Sequence, residues 1–106
     1  GLGDIGVHFP STTEAYHQIH STVLLEKTVM MVNGQGWSIR FVDATIIAEL
    51  PYLNPYVSQM RLSLSAATNF PVNTFNIKAT TTDGLGFIGN REGIACLAVA
   101  TIESIE

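Results

Sequence analysis

An α+β fold, in which a mixed α/β layer packs its helices on one face of a sheet, is the class this sequence predicts. Apolar residues recur at helical spacing in two separate stretches, and each gives way to a run rich in β-branched and aromatic residues. Glycine and proline clusters punctuate the chain between those segments. The 106 residues are 46% hydrophobic and 13% charged, enough apolar material for one core. No internal repeat or linker-like tract divides them, so residues 1–106 are expected to form a single domain.

Each element has its own signal. The opening GLGDIGVHFPSTT is rich in glycine, proline and hydroxyls and suits a loop. From about Glu14 to Asn33 the residues Ile19, Val23, Leu24, Met30 and Met31 recur at helical spacing, and the following NGQG supplies a stop. Trp37 to Leu50 reads as a long strand, with Trp37, Ile39 and Phe41 on one side, Val42, Ala44 and Ile46 on the other, and both faces mostly covered. Pro51 and Pro55 break the chain, after which Tyr56, Val57, Met60, Leu62 and Leu64 restart a helical pattern up to Asn69. Thr74 to Thr81 reads as a second strand. In IACLAVATIESI, alanine favours helix while Ile, Val and Thr permit a buried strand, and we read it as a strand.

Composition narrows the function. A formal charge of −4 with five Lys and Arg in total offers no basic stripe for a phosphate backbone, which argues against a nucleic-acid partner. A positive mean hydropathy of +0.28 favours burial of apolar surface between subunits. No apolar run reaches the length of a bilayer, so no membrane partner is expected. The single Cys96 excludes an internal disulfide framework and fits a reducing compartment. Gly1 to Gly6 lacks the features of a secretion signal and an initiator methionine, so the chain is expected to be a processed or partial product.

Two segments match G-x-G-x-x-G, at Gly1, Gly3, Gly6 and at Gly84, Gly86, Gly89. The dinucleotide fingerprint needs a preceding strand and a complete following unit, which neither has, so both read as structural turns. His17 and His20 lie three apart on the expected helix, close enough to share a metal, yet without a further ligand at firm spacing they read as surface histidines. Asp4 in its glycine-rich loop is either a local cap or a ligand contact. The stretch KATTTDGLGFIGNREGIA delivers Thr80, Thr81 and Thr82 to a sheet end, where hydroxyls and amides can bind phosphate oxygens. Asp83 beside them could hold Mg²⁺, which favours one or two carboxylates together with phosphate oxygens and water. A threonine-rich edge strand ending in an Asp-Gly turn explains the same residues equally well.

Three blocks then carry a resemblance: LGDIGVHFP, FVDATIIAELPYLNPYVSQMR and NIKATTTDGLGFIGNREGIACLAV. In this order, over nearly the whole chain, they resemble the 2-C-methyl-D-erythritol 2,4-cyclodiphosphate synthases of non-mevalonate isoprenoid biosynthesis. The resemblance implies a homotrimer with active sites between neighbouring subunits. It also implies a CDP-linked substrate, 4-diphosphocytidyl-2-C-methyl-D-erythritol 2-phosphate, whose 2-phosphate attacks the β-phosphate to close a cyclic diphosphate and release CMP. By position, Asp4 and Gly6 would contact the polyol and Phe9 would line its pocket. The stretch Ala48 to Asn54, in particular Ala48, Pro51, Tyr52, Leu53 and Asn54, would cradle cytosine largely through backbone groups, and Thr80 and Thr81 would hold the phosphates, with Phe87 among the substrate-binding residues. Thr81 and Asp83 would be catalytic, Asp83 through Mg²⁺ or Mn²⁺. The family's Zn²⁺ is held by an Asp-x-His pair and a further His absent from this chain. The chain is therefore expected to be N-terminally incomplete and inactive alone. The implied location is bacterial cytoplasm or a plastid-type organelle.

The chain departs from the family pattern at Asp83 (usually glutamate), Ser11 (carboxylate), His17 (lysine), His20 (aspartate), Asn90 in GNREG, and Tyr52 (lysine). The rival reading is a non-catalytic trimeric module that binds nucleotide or phosphate after losing its zinc site. A purely structural oligomer fits the composition but leaves KATTTD unexplained.

Overall fold

The computed structural model of the protein describes residues 1–105. Its elements in chain order are α1 (Ile5–His8), α2 (Ser21–Gly34), β1 (Trp37–Ile47), α3 (Val57–Thr68), β2 (Phe75–Thr80), α4 (Gly86–Gly89) and β3 (Ala95–Ser104). The strands form one sheet in the order β2-β1-β3, with β1 parallel to β2 and antiparallel to β3. The parallel pair needs a crossover, and α3 supplies it. Helices α2 and α3 pack on each other and on the same side of β1 and β2, giving the expected mixed sheet with helices on one face.

The residues between Gly84 and Ser104 resolve as expected into a short turn and a strand: β3 pairs with β1 along nearly its whole length. Helix α3 stops where Asn69 enters the left-handed region at φ 61°, its N–H still bonded to the Ser65 carbonyl. The Arg61 guanidinium ties this helix to the start of β2, donating to the carbonyls of Phe75 at 2.8 Å and Val72 at 3.2 Å. Phe75 is buried beneath it.

Several expectations are corrected. The first helix does not begin at Glu14: residues 14–16 form a single 3₁₀ turn, Gln18 is left-handed at φ 55°, and α2 starts at Ser21. Tyr16 meets the Phe9 ring edge-on at 5.3 Å, which draws this segment toward the N-terminal loop. His17 and His20 thus flank a break, both exposed, and do not share a helix face. Met30 faces solvent. The opening loop contains one helical turn, α1, because the Asp4 carboxylate accepts from the Val7 N–H at 2.9 Å and caps it.

Strand β1 is also reset. Ile39 pairs with Ile102 and Phe41 with the adjacent Thr101, so Arg40 is an extra residue. This bulge places Trp37 and Ile39 on the helix-covered face together with Val42, Ala44 and Ile46, and turns Phe41 to the opposite face with Asp43, Thr45 and Ile47. The strand ends at Ile47, three positions before Leu50. Its far face is open, contrary to the expected double cover: Leu97 and Val99, across from Thr45 and Asp43, are 69% and 70% exposed.

Candidate functional site

Strands β1 and β2 run parallel, so their C-terminal ends emerge side by side. The ladder carries past Ile47, where Ala48 N–H donates to the Thr80 carbonyl at 3.0 Å. A shallow cleft of about 50 Å³ opens there, lined by Ala48, Pro51, Tyr52, Leu53, Asn54, Thr80 and Thr81 together with Ala79 and Glu49. Seven residues named from the sequence for nucleotide and phosphate thus meet in one place, although about 30 positions separate the two segments in sequence. The Asn54 amide donates to the Tyr52 hydroxyl at 3.1 Å, pinning the rim.

Beyond Thr81 the chain makes a tight tip. The Thr81 hydroxyl accepts from the Asp83 N–H at 3.2 Å and reaches the Asp83 carboxylate at 3.4 Å, while the Thr82 hydroxyl donates to the Leu85 carbonyl at 2.7 Å. Asp83 at φ 54° and Gly84 at φ 80° are both left-handed, which turns the backbone back toward β3. Helix α4 closes against this tip so tightly that a Cβ on Gly89 would lie 2.1 Å from the Gly84 carbonyl carbon, and only glycine fits. The second glycine motif is therefore a packing device, as its truncated context implies. The lysine that opens KATTTD is otherwise engaged. Lys78 points to the open face and reaches both oxygens of Asp43 at 2.9 and 2.8 Å. With the Asn76 amide also on that carboxylate at 2.7 Å, hydrogen bonds from Lys78 and then Asn76 hold the Asp43 pKa below its ordinary value.

A second hollow, of about 200 Å³, is lined by Asp4, Phe9, His8, Leu2, Thr28 and Met31, among others. Asp4 and Phe9 meet here as expected, while Gly6 stands behind the Asp4 carboxylate, whose Oδ1 would be 3.6 Å from an added Cβ. This hollow shares no lining residue with the cleft at Thr80. Phe87 joins neither: its ring is largely exposed on α4 and lies against Gly93. Sequence reasoning placed Glu49 only within the Ala48–Asn54 stretch and gave it no contact of its own, since its bond to Gly84 spans 35 positions, and it assigned nothing to His8, whose ring bonds to the Leu2 carbonyl. No local signal marks either.

The family model described as the YgbB family matches residues 1–103. The chain belongs to the YgbB family. It is 46% identical over 101 residues to the 2-C-methyl-D-erythritol 2,4-cyclodiphosphate synthase of Alkaliphilus oremlandii, and 48% identical over 103 residues to that of Thioalkalivibrio sulfidiphilus. These alignments take in 95% and 97% of this chain and 64% of each relative, so the chain spans a little under two thirds of their length. Among solved structures it superposes on the bifunctional IspDF of Campylobacter jejuni with a TM-score of 0.94, at 31% identity, over 100% of this chain and 29% of that one. A 2C-methyl-D-erythritol-2,4-cyclodiphosphate synthase described as a CDP-bound form matches with a TM-score of 0.85 at 25% identity, over 97% of this chain and 66% of that one. The resemblance in the three sequence blocks is borne out, and the mixed sheet with its helical layer is the YgbB fold.

The donors present separate the metals the resemblance implies. At the tip, the Asp83 carboxylate and threonine hydroxyls are hard oxygen donors on an exposed turn, a set that suits Mg²⁺ or Mn²⁺ shared with phosphate oxygens. Zinc does not fit: among the described residues no three His, Cys, Asp or Glu side chains converge.

Proposed function

We propose that this YgbB chain works as a 2-C-methyl-D-erythritol 2,4-cyclodiphosphate synthase, binding 4-diphosphocytidyl-2-C-methyl-D-erythritol 2-phosphate and positioning its diphosphate for closure with release of CMP. The observation that carries the reading is the convergence of Ala48 and Pro51–Asn54 with Thr80 and Thr81 at the joined ends of two parallel strands. In this reading residues 1–106 are one domain, and no step is assigned to zinc.

The chemistry needs position and charge neutralisation more than a nucleophile from the protein. Pro51, Tyr52, Leu53 and Asn54 form the wall for cytosine. The Thr80 hydroxyl would turn from the Thr81 carbonyl to donate to a phosphate oxygen. The Thr81 hydroxyl would turn its one proton from Asp83 to phosphate while still accepting from the Asp83 N–H, which orients that residue. Asp83 would hold Mg²⁺ or Mn²⁺, which supplies positive charge to the diphosphate. Asp4, Gly6 and Phe9 would receive the polyol and Phe87 would border the substrate.

A cleft of about 50 Å³ is far below the roughly 300 Å³ or more of an enclosing small-molecule site, so a further wall is required. A homotrimer supplies it: the open face bearing Phe41, Leu97 and Val99 meets other copies, bringing one chain's hollow at Asp4 to a neighbour's cleft at Thr80. A reducing compartment, bacterial cytoplasm or a plastid-type organelle, accommodates the exposed Cys96 thiol.

The test is a thermal melt with CMP. At about 100 times its dissociation constant a ligand stabilises the fold by about 2.7 kcal/mol, so a clear rise in Tm is expected, with Asn54→Asp altering it. An unchanged Tm at millimolar CMP would remove the nucleotide pocket and the synthase reading with it.

A further inference from the structure

We infer that Glu49 is a positioning residue that sets where the Thr81–Asp83 cradle stands relative to the cleft. The inference rests on the reading of that tip as a diphosphate and metal cradle. Ala48 and Glu49 are adjacent at the end of β1, and between them they hold the chain on both sides of the cradle. Ala48 N–H bonds to the Thr80 carbonyl just before it, and Glu49 Oε1 accepts from the Gly84 N–H just after it, each at 3.0 Å.

The other bonds of the tip are local. Thr81 with Asp83 and Thr82 with Leu85 are at most three positions apart. They shape the turn but cannot fix its distance from β1. Among the described residues, the Glu49–Gly84 bond is the one side-chain hydrogen bond that joins the tip to the β1 end. It falls on a glycine at φ 80°, directly after Asp83 at φ 54°, so releasing it frees the dihedrals that aim the Asp83 carboxylate.

Glu49 lines the cleft and also holds the backbone of the cradle through Oε1, so its effect on Asp83 and Thr81 is separated from its place on the rim by the Mg²⁺ dependence of binding.

Calorimetric titration of CMP and CDP, each with and without Mg²⁺, on the wild-type protein, Glu49→Ala and Glu49→Gln tests this. In the wild type Mg²⁺ should tighten CDP more than CMP. Glu49→Ala should lose about fivefold of that Mg²⁺-dependent tightening, the size of one hydrogen bond, read as the ratio of CDP affinities with and without Mg²⁺ in the same variant. Glu49→Gln keeps an oxygen acceptor and should restore it. Hydrogen exchange at the Gly84 amide should quicken in Glu49→Ala and return toward wild type in Glu49→Gln. The inference is overturned if Glu49→Ala retains full tightening, if the Gln variant fails alongside it, or if CMP and CDP weaken equally, which would place Glu49 in the nucleotide pocket. Absence of Mg²⁺-dependent tightening in the wild type is a different failure: it removes the cradle reading itself, and the inference with it.

Discussion

The two faces of one sheet meet different fates. On the first, Phe75, Ile77 and Ala79 of β2 and Val42, Ala44 and Ile46 of β1 lie under α2 and α3. On the second, Phe41, Leu97 and Val99 stand in the open around an Asp43–Lys78 ion pair. The same strands build both, so β-propensity cannot explain the contrast. What differs is cover: the crossover that a parallel pair requires runs over one side only. The covered face holds the chain's own core, with Phe75 among its buried residues, and the open face has the composition of a core without a partner. A fold whose apolar surface is left half uncovered is a fold suited to assembly.

This contrast can be broken from either side. Phe75→Ala, on the covered face, should cost roughly 3–5 kcal/mol in any oligomeric state, as large-to-small changes at buried aromatics do, and a urea melt would measure it. Preserved stability would mean that this face is not the core.

Val99→Asp, on the open face, should act elsewhere. It should leave the isolated chain within about 0.5 kcal/mol, as exposed substitutions do. It should nonetheless weaken self-association by about a hundredfold or more, because a charge is carried into an apolar seam. Sedimentation over a concentration series would read this, and an unchanged oligomer would assign the seam to another surface.

The smallest effect lies at the ion pair. Lys78 and Asn76 hold the Asp43 carboxylate below its ordinary pKa of 3.8. A group whose folded pKa is depressed stabilises the fold above its unfolded value, and that contribution disappears as pH falls through the lower folded value. Lys78→Met should therefore lose a small increment of stability near neutrality, where the contribution is fully present, and converge on the wild type as pH falls below 3.8, giving a flatter acid limb. Denaturant midpoints at descending pH compare the two, and parallel limbs would show that the pair contributes nothing.

Much of this protein was legible in its residues. The strands at Trp37, Phe75 and Ala95 and the helix at Val57 follow from periodicity and from proline and glycine punctuation. Thr80–Asp83 was marked by its small hydroxylated residues beside a turn, and Ala48–Asn54 by the family resemblance alone. The start of α2 was not legible, since Tyr16 leaves the helical pattern to meet Phe9. Nor was the bulge at Arg40, which parts Trp37 and Ile39 from Phe41 and puts them on the face of Val42 and Ala44. Glu49 looked like any polar residue at a strand end until its partner 35 positions away came into view.

By itself, then, the sequence determined the types of the long elements, because periodicity and punctuation rest on near neighbours in the chain, and its motif blocks determined the family. Only the tertiary structure decided that the ends of β1 and β2 meet to form the cleft, that Lys78 serves Asp43 and leaves the threonines alone, and that one face of the sheet stays bare. Those outcomes depend on register and layer, which are set by distant segments competing for the same apolar surface and the same hydrogen-bond donors.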